Sequence, residues 1–131
     1  MKQHPDSRVA LAQIICERSY IRARSGETFK LTSGLERNFY FECQATTSFS
    51  RALPLIGELV LEAINRSIHP SPAVVGGLTR GADPIAQAVG VASLGGEHVL
   101  NVFSVRVQKK AHGMQRWIEG CARPGLRAVV V

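Results

Sequence analysis

The sequence predicts an α/β fold: a parallel sheet flanked by helices, with a small N-terminal flap of strands. Three observations point to it. Ala73-Val74-Val75, Val99 to Val105 and Leu126 to Val131 are short apolar-rich runs without strict alternation, as expected of strands covered on both faces. The first two flank a helix of small residues. Together they form a strand, loop, helix, strand unit about 30 residues long, the length of a right-handed crossover between parallel strands. Finally, the 131 residues are 45% hydrophobic and 20% charged, with a mean hydropathy of +0.04. That composition excludes disorder and fibrous repeats and fits one domain over residues 1–131. A chain of this length buries roughly two thirds of its unfolded surface, enough for a core without metal or disulfide staples.

In chain order, a polar start from Met1 to Asp6 is followed by Val9 to Cys16, apolar at every position but Gln13. With Asp6 or Ser7 as the N-cap, this predicts a largely buried helix from about 7 to 22, ended by Ser25-Gly26. Phe29 to Leu31 and Phe39 to Cys43 read as two strands joined by a Ser33-Gly34 turn. Leu53, Ile56, Val60, Ile64 and Ile68 recur at steps of three and four, which marks one face of a helix over about 50–67, with Pro54 in its first turn. His69-Pro70-Ser71-Pro72 breaks the chain, and Gly76-Gly77 closes the strand that begins at Ala73. Asp83 as N-cap and Pro84 as the first helical residue open a helix from Ile85 to about Leu94, stopped by Gly95-Gly96. Val99 to Val105 is the next strand. After a polar stretch to Arg116 and a turn at Pro124-Gly125, Leu126 to Val131 reads as a further central strand.

The net charge of +6 is concentrated. Residues 100–131 hold Arg106, Lys109, Lys110, Arg116, Arg123 and Arg127 against the single acid Glu119, whereas the other 99 residues carry ten basic against nine acidic side chains. Such a segment suits a polyanion: nucleic acid, a phosphorylated metabolite or an anionic surface. A solvated basic face is equally consistent with charge alone. No apolar run approaches the roughly 20 residues of a membrane span, because Glu58 and Glu62 interrupt the best candidate. The odd set Cys16, Cys43 and Cys121, without C-x-x-C spacing or a paired histidine motif, argues against structural zinc. It predicts reduced thiols in a cytoplasmic protein, two of them core residues.

In open parallel sheets, ligands sit beyond the carboxyl ends of the strands. Two segments fall there. Val74 to Pro84 is a glycine-rich connection carrying Arg80, suited either to an anion or to a tight structural turn. Arg106 to Gly113 brings Arg106, Lys109, Lys110 and His112 directly after a strand, where a forked guanidinium and mobile ammonium groups suit a diphosphate; a solvated loop is the alternative. The aromatics of Asn38-Phe39-Tyr40-Phe41 suit stacking on a planar ring, or core packing. Glu119-Gly120, holding the lone acid of the basic segment, reads as charge compensation or a turn, with no catalytic role.

Taken in order, Phe29-x-Leu31-x-Ser33-Gly34, Phe39-Tyr40-Phe41, Gly76-Gly77 to Ile85-Ala86, Arg106-x-x-x-Lys110-x-His112-Gly113 and Ile118-Glu119-Gly120 resemble the orotate phosphoribosyltransferase family over nearly the whole chain. The resemblance implies a type I phosphoribosyltransferase fold. It also implies a reaction in which orotate displaces diphosphate from 5-phosphoribosyl 1-diphosphate, with Mg2+, to give orotidine monophosphate in pyrimidine synthesis. By the same likeness, Lys110 and His112 are the catalytic pair. Arg106, Lys109, Lys110, His112 and Arg80 bind the phosphoribosyl diphosphate, Tyr40 and Phe41 bind orotate, and no residue is assigned as a metal ligand. The family's homodimers close the basic loop over the neighbouring subunit's site. Val107 and Thr32 stand where members carry basic residues. The family's ribose-phosphate loop, an acidic pair followed by hydroxyl residues and glycine, is expected directly after Val131, so the C-terminal part of the fold is expected to be missing and the chain alone to be inactive. The rival reading is an inactive anion- or nucleotide-binding regulatory module, or a basic nucleic-acid-binding domain, on the same scaffold. Basic residues at family spacing, rather than in an even stripe along one helix, argue against nucleic acid as the partner.

Overall fold

The computed structural model describes residues 7–108, 113 and 116–131. The chain forms two units, Met1–Ala52 and Leu53–Val131.

In the first unit, α1 spans Ser7–Arg18, shorter than the expected helix to residue 22. Residues Tyr20–Arg22 instead form β1, which pairs antiparallel with β4, Phe39–Phe41, in the register Tyr20 opposite Phe41 and Arg22 opposite Phe39. The strand wins over another helical turn because Tyr20 gains ring contacts with Phe39 at 5.8 Å and Phe41 at 5.5 Å. At the junction, the buried Ser19 hydroxyl bonds the Thr46 hydroxyl at 2.6 Å. Nor is α1 largely buried. Only Ser7 is fully covered, while Ala10, Leu11, Ile14 and Ile15 form a half-buried stripe.

The expected pairing of 29–31 with 39–43 is replaced by two separate antiparallel pairs. Phe29–Lys30 (β2) pairs with Glu36–Arg37 (β3) around the Ser33-Gly34 turn, closed by Gly34 N to Leu31 O and Leu31 N to Leu35 O, both 2.8 Å. Strand β4 stops at Phe41 because the Glu42 carboxylate accepts from Gln44 N and starts a short helix, α2, Cys43–Thr47. Cys16 and Cys43 are therefore exposed, as is Cys121 in the second unit. None of the three is the core residue expected, and all are free thiols.

The second unit holds α3 (Leu53–Ser67), β5 (Val74–Leu78), α4 (Asp83–Ser93), β6 (Asn101–Val105), β7 (Ile118–Gly120) and β8 (Ala128–Val130). The sheet order is β7-β6-β5-β8. Strands β6 and β8 both run parallel to β5, and β7 is antiparallel to β6. The crossover through α4 is thus the expected parallel unit, but β8 lies at the edge of the four described strands rather than in the centre.

Strand β5 does not close at Gly76-Gly77; it runs through both. A Cβ on Gly76 would lie 2.0 Å from the Phe103 carbonyl oxygen, so only glycine lets β5 and β6 approach this closely. Val74 and Val75 are 1% and 0% exposed. Val75 joins Ile64 of α3, Ala86 and Val89 of α4, and Leu100 in one cluster, bordered by Val60, Val102 and Val129. Burying each large aliphatic side chain contributes about 1.5–3 kcal/mol, and this cluster fixes α4 against the strands that carry the site.

Candidate functional site

Strands β5 and β6 end side by side. Thr79 N donates to Val105 O at 2.8 Å, so the chain leaves both strands at the same level, where Thr79 to Ala82 lead into α4. Arg80 and Gly81 are exposed in this loop.

Asp83 differs from its expected role. Ala82 occupies the N-cap position without a side-chain cap, and Asp83 is the first residue of α4. Its carboxylate instead accepts from the Thr79 hydroxyl at 2.5 Å and from the Ser104 hydroxyl at 2.6 Å. The local N-cap rule loses to two hydroxyls that the fold brings from β6 and the β5 loop.

Arg106 directly follows β6. Its amide donates to Trp117 O at 2.8 Å, so the chain departs the sheet at Arg106 and returns at Trp117. Its guanidinium donates to Glu119 Oε1 at 3.2 Å and to Gln108 O at 3.4 Å. Glu119 stands on β7 opposite Ser104. Lys109, Lys110 and His112 lie outside the described residues. Arg80 and Arg106 are thus the two expected anion-binding residues that the structure places, on adjoining strand ends.

Tyr40 and Phe41 are both exposed on β4. Consecutive strand residues point to opposite faces. Tyr40 accordingly lies 5.9 Å from Phe29, while Phe41 packs with Tyr20 and Phe39. A planar ring stacked on that pair meets one of them, not both. Sequence reading missed the roles of Thr79 and Ser104, and named Glu119 without its partner. Each acts through a partner on another element or strand; the polar position of Ser104 near the end of an apolar strand gave a signal, and so did Glu119, the single acid of a basic segment, whose contact with Arg106 is the charge compensation that isolation suggests.

Orotate phosphoribosyltransferase from Aquifex aeolicus is 37% identical to this chain over 124 residues, covering 95% of the chain and 66% of the relative. The Mycobacterium tuberculosis enzyme of the same name is 39% identical over 127 residues, covering 97% and 65%. The chain belongs to the orotate phosphoribosyltransferase family. It spans about two thirds of the length of these curated relatives. A crystal structure of M. tuberculosis orotate phosphoribosyltransferase superposes with a TM-score of 0.74 at 37% identity, over 95% of this chain and 65% of that one. The same enzyme in complex with 5-phospho-alpha-D-ribosyl 1-diphosphate (PRPP) gives 0.69 at 32% identity, over 95% and 62%. The family's parallel sheet flanked by helices is the fold described above. No family model matches the chain.

Among the described residues, no three His, Cys, Asp or Glu side chains gather as a metal cage, and both Asp83 oxygens already accept hydroxyls. No described helix is long and apolar enough to cross a membrane.

Proposed function

We propose that this chain carries the diphosphate-binding part of an orotate phosphoribosyltransferase, the enzyme that transfers the phosphoribosyl group of PRPP to orotate and releases diphosphate. The observation that carries the reading is the placement of Arg80 and Arg106 on adjoining ends of two parallel strands, where open α/β sheets bind ligands. Arg106 offers a planar fork to the diphosphate. Lys109, Lys110 and His112 follow it in the sequence and add cationic and hydrogen-bonding groups to the same leaving group. As the ribosyl carbon becomes cationic, negative charge builds on the departing diphosphate. Donors that meet this charge stabilise the transition state more than the ground state, where it has not yet developed. His112 donates a hydrogen bond to the leaving oxygen, and Lys110 neutralises the charge. Magnesium, bound with the substrate, shares this neutralisation. Tyr40 or Phe41 supplies a stacking face for the orotate ring.

Two further parts of the proposal concern setting. Three exposed free thiols fit a reducing compartment such as the cytoplasm. The family's homodimer is the assembly expected, and sedimentation equilibrium of the chain tests it.

Calorimetric titration of PRPP into the chain, with and without magnesium, tests the central reading. Magnesium-dependent binding that weakens at least about tenfold on Lys110→Ala is expected, the loss of one charge-assisted contact. Failure to bind PRPP, with tight and steeply salt-dependent binding of arbitrary duplex DNA instead, favours a basic nucleic-acid-binding module.

A further inference from the structure

We infer that Asp83 is a positioning residue for diphosphate binding: through Thr79 and Ser104 it clamps the Arg80 loop to the end of β6, where Arg106 begins. The inference rests on the reading that Arg80 and Arg106 meet the diphosphate.

Each oxygen of this half-buried carboxylate has its own partner. Oδ2 accepts from Thr79, the first residue after β5, and Oδ1 accepts from Ser104, two residues before Arg106. One side chain therefore joins α4, the β5–α4 loop and β6. The loop between Thr79 and Asp83 contains only Arg80, Gly81 and Ala82. Its ends are tied again by backbone, with Thr79 N donating to Val105 O at 2.8 Å and Ala82 N to Leu78 O at 3.1 Å. With both ends held, the three-residue loop that carries Arg80 has little freedom to move away from the end of β6.

The chemistry explains why an acid is tolerated beside an anion site. A bare carboxylate would repel diphosphate, whereas this one turns each oxygen toward a hydroxyl donor and sits at the first position of a helix, beside the positive end of its dipole. Holding an arginine-bearing loop before the ligand arrives also removes an ordering cost from binding. The role requires hydrogen-bonding geometry at position 83, not its negative charge, because a hydroxyl can donate to an amide oxygen and accept from an amide N–H.

The test compares binding of inorganic diphosphate with magnesium to the 131-residue chain and to Asp83→Ala, Asp83→Asn, Thr79→Val, Ser104→Ala, Arg80→Ala and the Asp83→Ala/Arg80→Ala pair, with thermal melts run alongside. Asp83→Ala is expected to weaken binding about tenfold, Asp83→Asn to restore it to within about threefold of the parent, and the double variant to bind no worse than Arg80→Ala alone. Should Asp83→Ala fail to fold, Thr79→Val and Ser104→Ala each remove one half of the clamp and are expected to weaken binding several-fold. Unchanged affinity in Asp83→Ala, or in both half-clamp variants, overturns the inference. So do fully additive losses with Arg80→Ala, and an Asn variant as weak as Ala. A parent chain that binds no diphosphate overturns the functional reading itself, and this inference with it.

Discussion

Glu119 and Arg106 show at the scale of single residues how the site balances occupancy. Their contact is 3.2 Å between side chains 47% and 36% exposed, so it contributes less than about 1 kcal/mol to folding. On the proposed reading, it competes for the guanidinium that an incoming diphosphate would use. Glu119→Gln is expected to leave urea unfolding nearly unchanged and to tighten diphosphate binding about two- to fivefold, the gain from removing a weak exposed competitor; weaker binding would show that Glu119 presents Arg106 rather than restrains it. Gly76 makes the opposite case, a residue whose value is absence of a side chain. Gly76→Ala is expected to cost at least about 2 kcal/mol of stability in urea unfolding, because the new methyl meets the Phe103 carbonyl. The cluster of cations after β6 was legible in the sequence, since charge and spacing are local properties, and the structure places its first member, Arg106, at that strand's end. The roles of Thr79 and Ser104 were not legible, because they depend on which strand lies beside which; Glu119 was legible as charge compensation, its partner Arg106 only once β7 lies beside β6.

Among the elements, those legible in sequence were the ones with a long period or sharp punctuation. The face made by Ile56, Val60 and Ile64 gave α3, and Asp83-Pro84 marked the start of α4 to within a residue or two. Elements defined by their partners were harder to read. Tyr20–Arg22 reads as helix until Phe39–Phe41 is placed beside it, and Gly76-Gly77 reads as a strand end until Phe103 is seen against it. Two substitutions probe this level. Ile64→Ala, in the cluster that seats α3 and α4 with β5, is expected to cost about 2–5 kcal/mol in urea unfolding. Tyr20→Ala removes ring contacts worth about 0.5–1.5 kcal/mol beyond area burial. It is expected to raise amide exchange in 20–22 and 39–41 while leaving β5 and β6 protected; loss of protection throughout would contradict an independent β1–β4 pair.

Across the whole molecule, positive charge is concentrated in residues 100–131, and that segment's first cation, Arg106, directly follows β6 at the level where β5 also ends. This conjunction, more than charge alone, separates a diphosphate site from a general polyanion surface. A site of defined geometry binds PRPP with moderate salt dependence, whereas a diffuse basic surface loses affinity steeply as salt rises. The most direct measurement is the amide spectrum of the isotope-labelled chain during titration with magnesium and diphosphate. The account predicts saturable shifts concentrated at Thr79 to Asp83 and at Ser104 to Gln108. Shifts confined to the opposite strand ends, around His69 to Ala73 and Glu97 to Val99, or no saturable shifts at all, would contradict it.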